Sequence, residues 1–242
     1  MTKFVILSEM RTGGTVLADA LGRHPQVTAV GEILDAGPSD HWRAVRRSLL
    51  ARLRPRPEDV GPESDLIPLL RLLLGEYDGF MVHRDGQIVE ANPAWDYLVS
   101  RTDLAVIHLY RENLFRQYLS EHVALATGIW HLEQGDGPAP ADPVLWIDPA
   151  DCLRVMRDRK ACFERLRDRF AGHRSVTVRY EDLAANMGAV LAYCQGFLGV
   201  DWCPLPVTFR RRTPQPTAAL VANLAELRDR FAGTEFAGLL DD

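Results

Sequence analysis

The stretch Ser8-Glu9-Met10-Arg11-Thr12-Gly13-Gly14-Thr15 places a guanidinium, two threonine hydroxyls and a glycine pair directly after the apolar run Lys3 to Ser8 (KFVILS). That composition suits an anion. Backbone N–H groups of such a turn, and of the helix after it, point at one place, and the hydroxyls of Thr12 and Thr15 add donors. Gly13 and Gly14 let the backbone come close to a phosphate. Arg11 lies inside the loop, where a planar guanidinium can bridge a phosphate and a group being transferred from it. A glycine pair suits a plain tight turn equally well, so the loop alone leaves both readings open.

The nucleotide loop G-x-x-x-x-G-K-[ST] does not fit: the upstream glycine is missing and the residue before Thr15 is Gly14, not lysine. Among 28 Lys+Arg the only lysines are Lys3 and Lys160. Lys3 opens the first strand and Lys160 falls in a long charged helix, so phosphate chemistry here has to use arginine.

The elements that must position this loop follow from the apolar pattern. KFVILS reads as a strand buried on both faces, and Val16, Leu17, Ala20 and Leu21 have helical spacing up to the exit at His24-Pro25. Val27 to Val30 reads as a second strand leading into Gly31-Glu32. Trp42 to Leu53 is an amphipathic helix, the three prolines of Arg54 to Pro62 make a connection, and a helix follows at Asp65 to Leu74. Further along come a strand at Gly79 to His83, a helix at Ala94 to Ser100, a strand at Ala105 to Tyr110 and a helix at Arg111 to Ala126. After a polar loop at Gly135 to Pro143 the pattern gives a long helix at Asp148 to Phe170 and a strand at Ser175 to Val178. Helical segments from Glu181 to Leu198 and from Thr217 to Phe231 close the chain. Strands alternating with helices, without an internal repeat, imply one α/β domain over 1–242 with a mainly parallel sheet between two helical layers.

With those elements in place, ILSEMRTGGTVLADALGRHPQVTAVGEIL resembles the opening of the PAPS-dependent sulfotransferases (PAPS, 3′-phosphoadenosine 5′-phosphosulfate), in particular their bacterial branch. In that family a first strand enters a P-loop-like turn of the form [KR]-[ST]-G-[ST]-T before a helix. Thr12, Gly13 and Thr15 match, whereas Gly14 replaces a hydroxyl residue and forgoes one phosphate contact. Val106-Ile107-His108-Leu109-Tyr110-Arg111, followed by a helix containing Ser120, is similar to the family's strand-Arg-helix element. The resemblance implies that Arg111 and Ser120 hold the nucleotide 3′-phosphate; a surface ion pair of Arg111 with Glu112 or Glu121 is the alternative. Val176 to Leu183 is similar to the family's strand ending in Tyr-Glu-Asp-Leu, which puts Tyr180 near the adenine unless it is an ordinary strand-end aromatic. Phe209-Arg210-Arg211-Arg212 resembles the basic segment that closes over the 3′-phosphate. Adjacent arginines diverge, so at most two, taken as Arg211 and Arg212, reach the ligand.

What the resemblance implies is transfer of a sulfuryl group from PAPS to a hydroxyl or amine of a small-molecule acceptor, without a metal. Arg11 would stabilise the sulfuryl and leaving phosphate oxygens. Glu32 is the expected base, its carboxyl raised by partial burial from an ordinary value of about 4.3; orienting Arg11 or capping a helix are its other uses. His83 is the reserve base. His122 and His131 are candidates to flank the acceptor, His108 is expected to pack in the core, and His24 belongs to the helix exit. Trp42, Trp95, Trp130 and Trp146 either line an apolar acceptor pocket or pack in cores.

Composition bounds the remaining classes. At 242 residues with 47% hydrophobic positions and net charge −5, the chain can bury a full core and is not a general nucleic-acid binder. The four cysteines show neither C-x-x-C nor zinc spacing, which predicts buried free thiols. No apolar run approaches the roughly 18 residues of a membrane span, and the start lacks a secretory pattern, so a cytoplasmic protein is expected. A homodimer is the common prior. Two other functions remain open: an ATP-dependent phosphotransferase of similar architecture, and a catalytically silent nucleotide-binding relative.

Overall fold

Alternate residues of the first strand belong to different cores. In the computed structural model, β1 (Phe4–Ser8) sends Val5 and Leu7 into one cluster and Phe4 and Ile6 into another, as a strand covered by helices on both faces must. The structure describes residues 2–32, 44, 47–49, 51–52, 66–83, 91–138, 140–210 and 215–241, with Glu32 described through its backbone alone. The other strands are β2 (Ala29–Glu32), β3 (Gly79–His83), β4 (Ala105–Tyr110) and β5 (Ser175–Arg179). They form an all-parallel sheet in the order β2-β3-β1-β4-β5. The chain builds one side of β1 and then crosses to the other, so the crevice at the carboxyl ends of β1 and its neighbours is the ligand position that such topology creates.

Helix α1 (Gly14–Gly22) packs on the Phe4 and Ile6 face together with α7 (Met187–Leu198). The opposite face carries α2 (Ile67–Glu76), α3 (Pro93–Ser100) and the end of α5 (Pro149–Arg169). A third cluster joins α4 (Leu114–Thr127) to α5, to α9 (Leu224–Phe231) and to the terminal 3-10 turn Ala237–Leu240. Short α6 (Tyr180–Ala185) follows β5 directly, and α8 (Thr217–Leu220) precedes α9.

Three departures from the sequence reading matter. The second strand runs later than expected, so Glu32 is its last residue, reached through a register shift between Val30 and Glu32. The helix expected from Arg111 begins at Leu114, because the Asn113 side chain accepts from the Arg116 N–H at 2.8 Å and caps it there; Arg111 stays at the strand end. Finally, the segment expected as one last helix is split at Val221, which turns extended so that Leu145 can pair with the backbone on either side of it. Half of the predicted helix over 42–53 and the whole connection over 54–62 lie outside the described residues; of the former, residues 44 and 47–49 are helical.

Lys3 donates to the Tyr77 carbonyl at 2.8 Å and pairs with Asp78, at the amino edge of the sheet and thus opposite the turn that follows β1. The four cysteines form no disulfide; burial pushes the thiols of Cys152 and Cys194 up to about 12. No helix among the described residues is long and apolar enough to cross a membrane.

Phe170 pins α5 to the sheet. Its fully buried ring meets Trp95 edge-on at 6.5 Å and His108 at 6.4 Å, and lies 5.0 Å from His173. Phe170→Ala is expected to cost about 3–5 kcal/mol in denaturant unfolding, with the m-value unchanged.

Candidate active site

The turn after β1 is held in a conformation that few residues adopt. Arg11 has φ 64° and Gly13 φ 88°. A side chain at position 13 would put its Cβ 2.9 Å from Leu183 Cδ2 and 3.4 Å from Tyr180 Cδ2, so glycine is needed there both for φ and for space. A non-glycine residue at positive φ persists only where its surroundings hold it, and several contacts do so here. Thr12 Oγ1 donates to the Glu9 carbonyl at 2.7 Å, and Gln117 Nε2, on α4, donates to the Met10 carbonyl at 2.9 Å and to Glu9 Oε2 at 3.1 Å. The Thr12 hydroxyl proton is therefore committed inside the turn, leaving its backbone N–H as the group that can face an anion.

Arg111 links this loop to two other strand ends. Its guanidinium carbon lies 4.2 Å from the centre of the Tyr180 ring, and its Nη1 donates to the Arg11 carbonyl at 3.3 Å. It is buried, and no surface residue. The two acids considered as its partners have other cations: Glu112 pairs with Arg179 at 3.1 Å and Glu121 with Arg159. The whole Tyr-Glu-Asp-Leu turn is used. Tyr180 stacks on Arg111, Glu181 accepts the backbone N–H groups of Glu112 and Asn113 at 3.1 and 3.2 Å, Asp182 holds Arg179 at 2.7 Å, and Leu183 packs under Gly13.

Arg11 reaches away from its own loop. Nε donates to Ser120 Oγ at 3.1 Å and Nη1 to the Trp130 carbonyl at 2.5 Å. Beyond Trp130, the segment through Gln134 pairs with residues 208–210: Arg210 N donates to the Leu132 carbonyl at 2.9 Å, Gln134 N to the Thr208 carbonyl at 2.7 Å, and the His131 ring lies 5.7 Å from that of Phe209. The Arg210 guanidinium turns to the carbonyls of Asp136 and Gly137. On the far side, buried Arg116 donates to the Gln215 carbonyl at 2.8 Å. Arg211 and Arg212 lie outside the described residues, but both of their flanks are tied to elements that carry the site.

The remaining candidates separate clearly. His83 ends β3 in register with Ser8, at the same carboxyl edge. Glu32 ends β2 there too, and its side chain lies outside the described residues. His108 is packed between Phe163 and Phe170. His24 bonds the Asp201 carbonyl at 2.7 Å at the helix exit. His122 stacks on Tyr118 at 3.9 Å and takes no part in the loop. Of the tryptophans considered, Trp95 is core, Trp146 is exposed, Trp42 is outside the described residues, and Trp130 contacts the site through its carbonyl. No group of three or more His, Cys, Asp or Glu is placed to hold a metal among the described residues.

No protein-family profile matches the chain. It is 27% identical over 248 residues to Nodulation protein H of Rhizobium tropici, covering 99% of this chain and 94% of that protein. The chain is similar to the bacterial sulfotransferases. A sulfotransferase domain of the Synechococcus PCC 7002 olefin synthase has 18% identity and a TM-score of 0.47, covering 83% of this chain and 74% of that one. A sulfotransferase of Alicyclobacillus acidocaldarius has 15% identity and a TM-score of 0.45, with 98% and 95% covered.

Within this site residue type carries no signal for Gln117, a neutral residue on an ordinary helix, or for the Trp130 carbonyl, since backbone groups leave no trace in residue type. His131 was a candidate to flank the acceptor, with nothing in its spacing to single it out. Burial first, then the charges of Arg11 and His83, hold the His131 imidazole down at about 4, so it is neutral at pH 7. A depressed folded value against an ordinary 6.5 means that the unfolded chain takes up the proton first on acidification. The stability contributed by neutral His131 is complete above about pH 6.5 and is lost as pH falls through about 4. His131→Gln should narrow the drop in Tm between pH 7 and pH 4.5 by the equivalent of up to about 3 kcal/mol.

Proposed function

We propose that this chain transfers the sulfuryl group of PAPS to a hydroxyl or amine of a small-molecule acceptor. The observation that carries the reading is convergence: Arg11, Gly13, Arg111, Ser120 and Tyr180, drawn from three strand ends and a helix, touch one another directly. Packing alone has no need of two arginines, a hydroxyl and an aromatic ring at the carboxyl edge of a sheet, whereas a nucleotide with two anionic groups needs all of them.

In this reading the α1 N-terminus and the N–H groups of the loop receive the phosphosulfate, Arg111 and Ser120 take the 3′-phosphate, and Tyr180 lies against the adenine. Arg211 and Arg212 are the two arginines assigned in this reading to the 3′-phosphate, on the likeness of their segment to the family's basic closing element. The acceptor oxygen or nitrogen attacks sulfur in line, the bond from sulfur to the bridging phosphate oxygen breaks, and adenosine 3′,5′-bisphosphate leaves with the electron pair. Arg11 neutralises the charge that develops on sulfuryl and leaving-phosphate oxygens. Glu32 takes the acceptor's proton, with His83 as the other base within the same carboxyl edge, while neutral His131 flanks the acceptor. The two-lysine composition fits this arrangement, since Lys3 lies at the amino edge of the sheet and Lys160 in the long helix α5, neither of them in the loop.

Calorimetric titration distinguishes the donor class. Adenosine 3′,5′-bisphosphate should bind at least tenfold more tightly than ATP or AMP, and Arg111→Ala should erase most of that advantage; equal or tighter ATP binding would overturn the reading. Glu32→Gln should lower kcat about 100-fold or more while bisphosphate affinity stays within about twofold. An unchanged kcat removes Glu32 as the base.

A further inference from the structure

The last residue of β1 carries a polar group with no evident use. Ser8 is fully buried, and among the described residues its hydroxyl has no hydrogen-bond partner. Its side chain lies on the same face as those of Phe4 and Ile6, which is the face that receives α1. The first residue of that nine-residue helix, Gly14, stacks directly on it: a Cβ at position 14 would lie 2.6 Å from Ser8 Oγ and 3.0 Å from Ser8 Cβ, with Met81 Sδ at 2.5 Å. The seryl hydroxyl thus stands in the volume that a side chain at position 14 would fill. The N-cap of this helix is Gly13, which has no side chain of its own to cap the first helical N–H groups.

An orphan hydroxyl in a core is a net cost, because the group gives up its water and receives nothing in return. Such a residue is easily replaced by alanine unless a ligand supplies the missing partner. The position decides which ligand. An uncapped helix N-terminus, flanked by Arg11 and by positive-φ backbone, attracts an anion, and a hydroxyl at its base is a donor for one.

We propose that Ser8 is a phosphosulfate-binding residue whose hydroxyl, delivered from the end of β1, replaces the loop hydroxyl that Gly14 lacks. The assignment of the anion to PAPS rests on the sulfotransferase reading above; the role of Ser8 at the helix terminus does not. Ser8 and Gly14 then act as a pair. Glycine at 14 makes room for the serine beneath it, and the serine returns the hydrogen bond that the glycine omits.

The test uses the full chain and four proteins: wild type, Ser8→Ala, Ser8→Gly, and Ser8→Gly combined with Gly14→Ser. Each is titrated with adenosine 3′,5′-bisphosphate and with ATP, and its Tm is measured without ligand. Ser8→Ala should lose about tenfold or more in bisphosphate affinity, as expected for one hydrogen bond to a charged group, while its Tm is equal to or above that of the wild type. The double variant should recover most of the affinity lost in Ser8→Gly, because the hydroxyl returns from the other side of the contact and the flexible Met81 thioether can move aside. Ser8→Ala with affinity within twofold of wild type, or with a Tm several degrees lower, overturns the proposal; so does a double variant that binds no better than Ser8→Gly. If ATP matches the bisphosphate in wild type and Ser8→Ala weakens both, the sulfotransferase reading fails and Ser8 stands as a phosphate ligand. Binding of neither nucleotide by wild type overturns both.

Discussion

The Arg111 guanidinium lies between the Tyr180 ring and the Arg11 carbonyl, and the geometry of the whole carboxyl edge depends on that contact. It ties the ends of β1, β4 and β5 at one point. A lysine could not do the same work: a planar guanidinium stacks on an aromatic face while its edge donates in a fixed direction, whereas an ammonium is a point charge with freely turning donors. Tyr180 in turn packs beside Gly13, so the stack also sets how far the turn after β1 can settle towards β5. The scarcity of lysine in the chain and the use of arginine at the site are consistent with one another, although composition alone would not have required it.

A strained turn is useful only when it is held. Arg11 and Gly13 both sit at positive φ, and each neighbour that fixes them comes from a different place: Thr12 and Glu9 from within the turn, Gln117 and Ser120 from α4, and Arg111 from the end of β4. Helix α4 has a double task. Gln117 and Ser120 steady the first loop, and Arg116 holds the backbone at Gln215. One helix thus sets the spacing between the two regions expected to enclose a nucleotide. Its start at Leu114, fixed by the Asn113 cap, keeps Arg111 just past the end of β4 and outside the helix.

Much of this was legible in the residues. The strand–loop–helix opening, the buried strands at Gly79 and Ala105, the long charged helix over Asp148 to Phe170 and the parallel sheet follow from apolar periodicity and capping residues. Arg11 and Gly13 were recognisable as site candidates from residue type in a strand-to-helix turn, and Arg111, Ser120 and Tyr180 through the family resemblance of the elements that carry them. The reading went astray where backbone pairing overrode local preference: Val221 turns extended to meet Leu145, and the second strand shifts so that Glu32 ends it. The Thr12 hydroxyl, read as a phosphate donor, bonds the Glu9 carbonyl three residues back in the structure.

The sequence by itself determined which groups are available: an arginine, two threonine hydroxyls and a glycine pair at a first strand-to-helix turn, on a sheet buried on both faces, in a chain with only two lysines. It could do so because periodicity and hydrogen-bonding capacity are properties of the residues themselves. Only the tertiary structure decided who meets whom. That Arg11 grips Ser120 and Trp130, that Gln117 holds the loop, that His131 is kept neutral and that Ser8 lies under Gly14 are matters of distances between segments far apart in the chain. Those distances are set by how three hydrophobic clusters pack, and no local pattern in the sequence records them.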